Sequence, residues 1–457
     1  MSESYVIKLG GSSMYAPERA AEIFMSDPSH RVAVVSAVGK DPNGGCDGIK
    51  GTDLLEALEQ AVDSGNRLDV AENQEAFIEK NLKAYSMLGE RVLSQICSET
   101  YELLSPTQRP QGFKWIGEHI SARLFAELTD SVYLPSDLRF SGGDLRINKS
   151  VQAIHKNVVP TLQSGRRVVA EGYFGFDISS GDVTTLPRGG SDTSGVVYTG
   201  ALNKSHGKWI NKNYTDKDGI LSADPRIIPE GTHVIPEMTH EEVREKMHGI
   251  NERNGVIHGD AIAYAARLDV DILVQNTFNP SAVGTRIVSS RQSDPARPII
   301  GISGKSNITA IDTFDMGMAE AESYVARILN QAGKQGISFS SMPQAEDRLK
   351  LVINSQAGRK DLQAVCDYIK TNAISGGQAK VETIRDEGAV YLVGQELADP
   401  PTYTRMLGTV ATLLAREGLS IHDVISHKKS PSLALSVAGN EVPQIIQVLH
   451  AELIKNR

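Results

Sequence analysis

Short apolar, β-branched runs alternate with helical stretches through residues 1–290, and this alternation is what most narrows the possible folds. It predicts an α/β domain around a central, mostly parallel sheet. Residues 5–9, 32–36, 168–171 and 271–275 read as buried strands, with 209–213 as a further one. Residues 117–128 and 191–202 read as helices, and the polar, helix-prone stretch 63–95 as a helical insertion beside the sheet.

The pattern changes after 289–297, a polar stretch containing a proline that makes the best linker. Beyond it, strand-like 299–314, helical 319–331 and alternating 348–354 come first, with Leu349, Leu351 and Ile353 on one face. A strand (389–393), a helix (403–416), an alternating strand (433–437) and a helix (443–454) follow. Two similar α+β units of roughly 70–80 residues each account for this order.

At 457 residues the chain exceeds what one hydrophobic core organises, so two or three domains are expected. A net charge of −9 argues against broad nucleic-acid binding, which needs a basic face. Cys46, Cys97 and Cys366 are few, odd in number and widely spaced, as in reduced thiols; they suit neither a disulfide framework nor a zinc site. Residues 1–10 lack the features of a secretion signal, and no apolar run approaches the ~20 residues needed to cross a bilayer. A cytoplasmic protein is expected, with small molecules or copies of itself as partners and neither nucleic acid nor membrane among them.

Four local patterns carry chemistry. The first strand runs into Lys8-Leu9-Gly10-Gly11-Ser12-Ser13, where glycines let backbone N–H groups approach phosphate oxygens and the lysine adds positive charge. The lysine precedes the glycines, so this is not a Walker loop. In Pro187-Arg188-Gly189-Gly190-Ser191-Asp192-Thr193, two glycines open a helix whose N-terminal end favours anions. Ser191 or Asp192 could simply cap that helix, while Arg188 could hold a carboxylate through two parallel hydrogen bonds. Thr215-Asp216-Lys217-Asp218-Gly219-Ile220 with Ala223-Asp224-Pro225-Arg226 is an Asp-rich turn without calcium-loop spacing. Trp115-Ile116-Gly117-Glu118-His119 starts an amphipathic helix with an acid in its first turn.

Together and in this order, the four patterns resemble the aspartate kinases of the amino-acid kinase superfamily over nearly the whole chain. The stretch Lys50-Gly51-Thr52-Asp53-Leu54-Leu55 is similar to that of the monofunctional Gram-positive type. The resemblance implies an amino-acid kinase fold in 1–290, followed by two α+β ACT domains, 298–375 and 376–457, which could intertwine. It implies transfer of the ATP γ-phosphate to the β-carboxylate of L-aspartate, giving 4-phospho-L-aspartate on the way to lysine, threonine and methionine. Mg²⁺ would accompany ATP, and no resident protein metal site is expected. Lys8, Arg188 and Asp192 would be catalytic. Lys8, Gly10, Gly11, Ser12, Ser191, Thr215, Asp216 and Arg226 would bind ATP. Ser36 and Thr52 would help hold aspartate, with Glu118 on its ammonium and Arg188 on its α-carboxylate. The ACT pair would bind lysine or threonine and assemble a homodimer or larger oligomer.

The chemistry suits this assignment. A substrate carboxylate with a pKa near 3.9 is already ionised at pH 7, so no general base is required and no catalytic work is expected of His119, His233, His240, His248 or His258. The chain departs from the family in four places, one of them the second ACT unit, where Ser432-Leu433-Ala434-Leu435-Ser436 stands for an Asn-Ile-Ser-like strand. Gly255 stands where many members have a lysine that touches the nucleotide, Leu221 where an aromatic follows Gly-Ile, and Ser340 where the first ACT unit has an acid for which Asp347 could substitute. Two alternatives stay open: a kinase for an aspartate analogue, and a catalytically dead amino-acid sensor.

Overall fold

Alternate side chains of each apolar strand point to opposite sheet faces, and in the first part of this protein both faces are covered. The computed structural model describes residues 3–40, 49–104, 112–187, 189–204, 207–250, 255–353, 359–375, 378–425 and 429–455. Arg188 and Cys46 lie outside the described residues. In β1 (Ser4–Leu9), Ile7 and Leu9 enter one core and Val6 the other; in β2 (His30–Val35), Ala33 and Val35 oppose Val32 and Val34 in the same way. Such two-sided burial produces the near-continuous apolar runs seen in the sequence.

The chain divides into two compact units. The first comprises Met1–Ile220, Val234–Arg244 and Gly255–Arg291; the second comprises Leu221–His233, Glu245–Asn254 and Gln292–Arg457. The first unit is built on an eight-stranded sheet. Its further strands are β3 (Val132–Leu134), β6 (Val168–Glu171), β9 (Trp209–Thr215), β10 (Glu237–Thr239), β11 (Ile272–Asn276) and β12 (Thr285–Val288). The order is β10-β12-β11-β9-β1-β2-β6-β3, and every pairing is parallel except β11 with β12. Helices Pro17–Ser26, Gly51–Ser64, Arg67–Ala84, Glu90–Leu103 and Ile116–Leu128 supply the core on one face. Ile147–Gln163 and Gly190–Asn203 supply the core on the other.

From β1 the chain crosses to β2 on one side, while β9 lies on the other, so the strand order reverses around β1. In open parallel sheets the crevice outside the carboxyl ends of the strands, at such a reversal, is where ligands bind. The Lys8-to-Gly11 segment sits at that point. A small second sheet, β4 (Arg139–Ser141), β5 (Asp144–Leu145), β7 (Phe174–Asp177) and β8 (Val183–Thr185), was not legible from these short strands. Its β7–β8 hairpin carries the chain from the end of β6 toward Gly189.

The second unit contains one sheet with two cores. Two strands of 14 residues each, β13 (Gly301–Phe314) and β17 (Lys380–Val393), pair antiparallel along their lengths. β14 (Phe339–Ser341), β15 (Gln344–Ala345) and β16 (Arg348–Ile353) lie on the β13 side; β18 (Asp423–Val424) and β19 (Ser432–Ala438) lie on the β17 side. Ile311 joins Leu349, Leu351, Ile353 and helices Tyr324–Lys334 and Arg359–Thr371 in one core. Ile302 joins Val390, Leu392 and helices Pro400–Arg416 and Val442–His450 in the other. Each long strand therefore serves both cores. The strand expected at 389–393 begins nine residues earlier, because the polar run from Lys380 to Asp386 hides its first half. The helix expected from 319 starts at Tyr324, because the preceding residues form a turn in which Asp347 Oδ1 accepts from Gly317 N at 2.7 Å. No described helix is long and apolar enough to cross a membrane.

Candidate active site

Lys8 shares the sheet face of Val6, so its stem runs beneath helix Gly190–Asn203. Gly195 makes room for it: a Cβ there would lie 3.2 Å from Lys8 Cβ and 2.9 Å from Asn211 Nδ2. The ammonium group reaches Asp192 in the first turn of that helix, with Nζ 2.7 Å from Oδ1 and both side chains about nine-tenths buried. Asn213, across from Lys8 on β9, donates Nδ2 to the same oxygen at 3.3 Å. His258 N donates to Asp192 Oδ2 at 3.0 Å. This approach fixes the identity of Gly189, which has φ of 78° and whose Cβ would come within 2.3 Å of His258 Cβ. Among the described residues three donors thus hold Asp192, and of these Lys8 alone brings a full charge.

Around this pair the glycine loop packs tightly. Gly10 N donates to Tyr214 O, and Gly39 N donates to Gly11 O at 2.9 Å. A Cβ on Gly39 would lie 2.3 Å from Gly11 C. Ser12 is half-buried in the short helix Gly11–Tyr15, and Ser13 Oγ lies 2.6 Å from Thr277 Oγ1. Thr277 N in turn donates to Thr215 O, bringing the Thr215-Asp216 segment to the same edge. Asp218 accepts from the side-chain amides of Asn276 and Asn279 at 2.7 and 3.1 Å. Arg226 belongs to the second unit, where its guanidinium pairs with Asp224.

The loop after β2, running from Ser36 to Gly39, organises the other end. Ser36 N donates to Leu9 O, and Gly51 N donates to Val38 O, seating half-buried Thr52 in the first turn of helix Gly51–Ser64. Gly117 is pressed against Ala37, where a Cβ would come within 2.6 Å of the alanine methyl. Ser191 is buried where β2 and β6 end, next to Gly172, whose N donates to Val35 O. Glu118 is 3 % exposed and accepts from Ala37 N, yet its Oε2 has no hydrogen-bond partner among the described residues. Burial, with a smaller push from Glu171, raises its carboxyl to about 8. Such a group is incomplete as it stands. A cation placed against the free oxygen would stabilise the ionised form.

Lys8, Gly10, Gly11, Ser36, Thr52, Glu118, Ser191, Asp192 and Thr215 thus gather at one edge of one sheet. The sequence reading did not single out Gly39, Asn213, the His258 amide or the Glu171 carboxylate. A Gly after a strand and an Asn within one carry no distinctive spacing, and these contacts link residues far apart in the chain. Among the described residues no group of three or more His, Cys, Asp or Glu side chains is gathered for a metal ion.

The raised pKa of Glu118 bears on stability. The folded chain holds this proton more tightly than the unfolded chain does, so its contribution is complete below about pH 4.5 and is lost as pH rises through about 8. Thermal unfolding of the ligand-free protein is expected to show a falling midpoint across that interval, and Glu118→Gln should flatten the fall. An identical pH profile in the variant would refute the assignment.

Residues 3–276 match the family model described as the amino acid kinase family. Aspartokinase 3 of Bacillus subtilis is 28% identical over 98% of both chains. The lysine-sensitive aspartokinase 3 of Escherichia coli is 24% identical over the full length of both. Among solved structures, Clostridium acetobutylicum aspartate kinase superposes with a TM-score of 0.79 at 23% identity, covering 98% of this chain and 99% of that one. Escherichia coli aspartokinase III, solved with lysine and aspartate, gives 0.73 at 22%, covering 99% and 100%. These likenesses extend the shared fold through the second unit. With the Lys8 loop, the parallel sheet and more than half of its length matched, the chain belongs to the amino acid kinase family.

Proposed function

We propose that this protein transfers the γ-phosphate of ATP to the β-carboxylate of L-aspartate. The observation that carries the reading is the juxtaposition, along one sheet edge, of the Lys8–Asp192 pair with the buried, half-partnered carboxyl of Glu118. The first end suits phosphate and the second a free ammonium. Full-length similarity to aspartokinases supports the choice of substrate, and one structure of Escherichia coli aspartokinase III contains aspartate and ADP.

On this reading, Gly10, Gly11 and Ser12 receive the phosphates, while Thr215 and Asp216 bind the rest of the nucleotide. Ser36 and Thr52 orient the aspartate, Glu118 takes its ammonium and Arg188 its α-carboxylate. The attacking carboxylate is ionised at neutral pH, so the site supplies alignment and positive charge rather than a base. Lys8 leaves Asp192 for the transferring phosphoryl group, and Asn213 and His258 N remain to hold the aspartate side chain. Mg²⁺ would enter as an ion carried by the phosphates, since such ions are bound through one or two carboxylates plus substrate phosphates. It would neutralise phosphate charge, with Asp192 the side chain placed to hold it.

The tail is read as two ACT-type modules, 298–375 and 376–457, sharing their long strands. β14 is an edge strand, which suits pairing with a second copy in at least a homodimer. Ser340 Oγ donates to Val352 O and brings no charge, and Asp347 accepts from Gly317 N on Oδ1, so a lysine effector would have only part of one acid to pair with at this position.

Three experiments test these readings. ADP release assayed across a panel of acidic amino acids should select aspartate, and Lys8→Ala should lower kcat by about 10²–10³-fold. Near-normal kcat in that variant would remove Lys8 from the mechanism. Titration with lysine and threonine, alone and together, is expected to show weak inhibition by lysine alone. Light scattering should give at least a dimer. Strong lysine inhibition or a monomer would overturn the respective part.

A further inference from the structure

Behind Glu118 lies a second buried carboxylate that neither the family match nor the reading above uses. Glu171, the last residue of β6, is 1 % exposed. Its Oε1 accepts from His119 Nδ1 and from the Tyr133 hydroxyl, both at 2.6 Å, and its Oε2 accepts from Ser136 N at 2.8 Å. Three elements therefore converge on one side chain: the helix that carries Glu118, strand β3, and the segment following it. His119 immediately follows Glu118. Successive helical residues point about 100° apart, so His119 grips the sheet while Glu118 turns toward Ala37. The imidazole is further packed edge-on against Trp115 at 5.7 Å and Tyr133 at 6.1 Å.

The arrangement does two things to Glu118. It fixes the rotation of the first helical turn, and hence where the unpartnered Oε2 lies. It also adds a negative charge that opposes ionisation of Glu118, in the same direction as burial and much smaller than it. Other ionisable groups surround the pair. Asp137, with Arg139 and Asn157 bonded to it, and Tyr198 face Glu171; Tyr173, with Lys114 and Glu59 nearby, faces Glu118.

We propose that Glu171, acting through His119, is a positioning residue for Glu118. It keeps the pocket from carrying the Glu118 charge unless a cation enters, so that binding of a substrate ammonium is coupled to loss of the Glu118 proton. The inference rests on the reading of Glu118 as the site of the substrate ammonium.

The test uses the full-length protein. The infrared band of the protonated Glu118 carboxyl, identified by its loss in Glu118→Gln, is followed from about pH 5 to pH 10. In Glu171→Gln the midpoint should move to lower pH, by about tenfold or more in proton affinity. In Tyr133→Phe, which removes a donor and keeps the charge, it should move to higher pH. A purely structural anchor gives no such opposite pair of shifts, and an unmoved midpoint in either variant overturns the proposal. In parallel, KM for aspartate should rise severalfold in His119→Phe while KM for ATP stays unchanged; equal rises would also contradict it. Adding aspartate to the unaltered protein should abolish the band near neutral pH. Should the shifts occur but aspartate leave the band intact, the ammonium reading fails and the electrostatic role of Glu171 stands.

Discussion

The ion pair between Lys8 and Asp192 is the contact on which the site depends. It forms where strand order reverses around β1, because a parallel sheet buried on both faces leaves polar groups a place mainly at its strand ends. A nearly buried ion pair contributes little net stability, since desolvation offsets much of its Coulombic gain. Its value here is positional. Asn213 and the His258 amide hold Asp192 independently of Lys8, so the ammonium can exchange its carboxylate for a phosphate without leaving a buried charge bare. Gly189 and Gly195 are the local conditions for this geometry, one admitting His258 and the other the lysine stem.

The amino-acid end follows a different logic. There a carboxyl is buried with one oxygen unused, held in place by the clamp on its neighbour His119. One end of the edge is complete without ligand, and the other is completed by one. On the reading proposed for Glu118, its charge is favoured only when a cation arrives, which links recognition of the amine to deprotonation of the protein.

Much of this was legible in the chain. Runs such as 168–171 are buried strands because both sheet faces are covered, and the strand at 5–9 announced the Gly10-Gly11 loop at its end. The helix bearing Glu118 and the helix opened by Gly190 also follow from local pattern. What local pattern does not carry is contact between distant residues: Gly39 against Gly11, Asn213 beside Asp192, and Glu171 on His119, 52 residues away. The tail shows the same limit. Successive α+β units were readable, but the interlocking of β13 and β17 into two cores is a property of pairing register. Arg226 and Asp216 stand in one motif, yet they belong to different compact units, because the Leu221–His233 segment packs its Ala223 and Ile228 with Val390 and Leu433.

The account's central claim is that a carboxylate, presented by an ammonium-anchored amino acid, attacks phosphorus at the Lys8 end of the site. An acyl phosphate formed this way reacts with hydroxylamine to give a stable hydroxamate. Incubating the full-length protein with ATP, Mg²⁺, aspartate and hydroxylamine, and identifying the product by mass spectrometry and NMR, reads the claim directly. The account predicts the β-hydroxamate of aspartate in an amount equal to the ADP released. ADP without hydroxamate, or hydroxamate on the α-carboxyl, would contradict it.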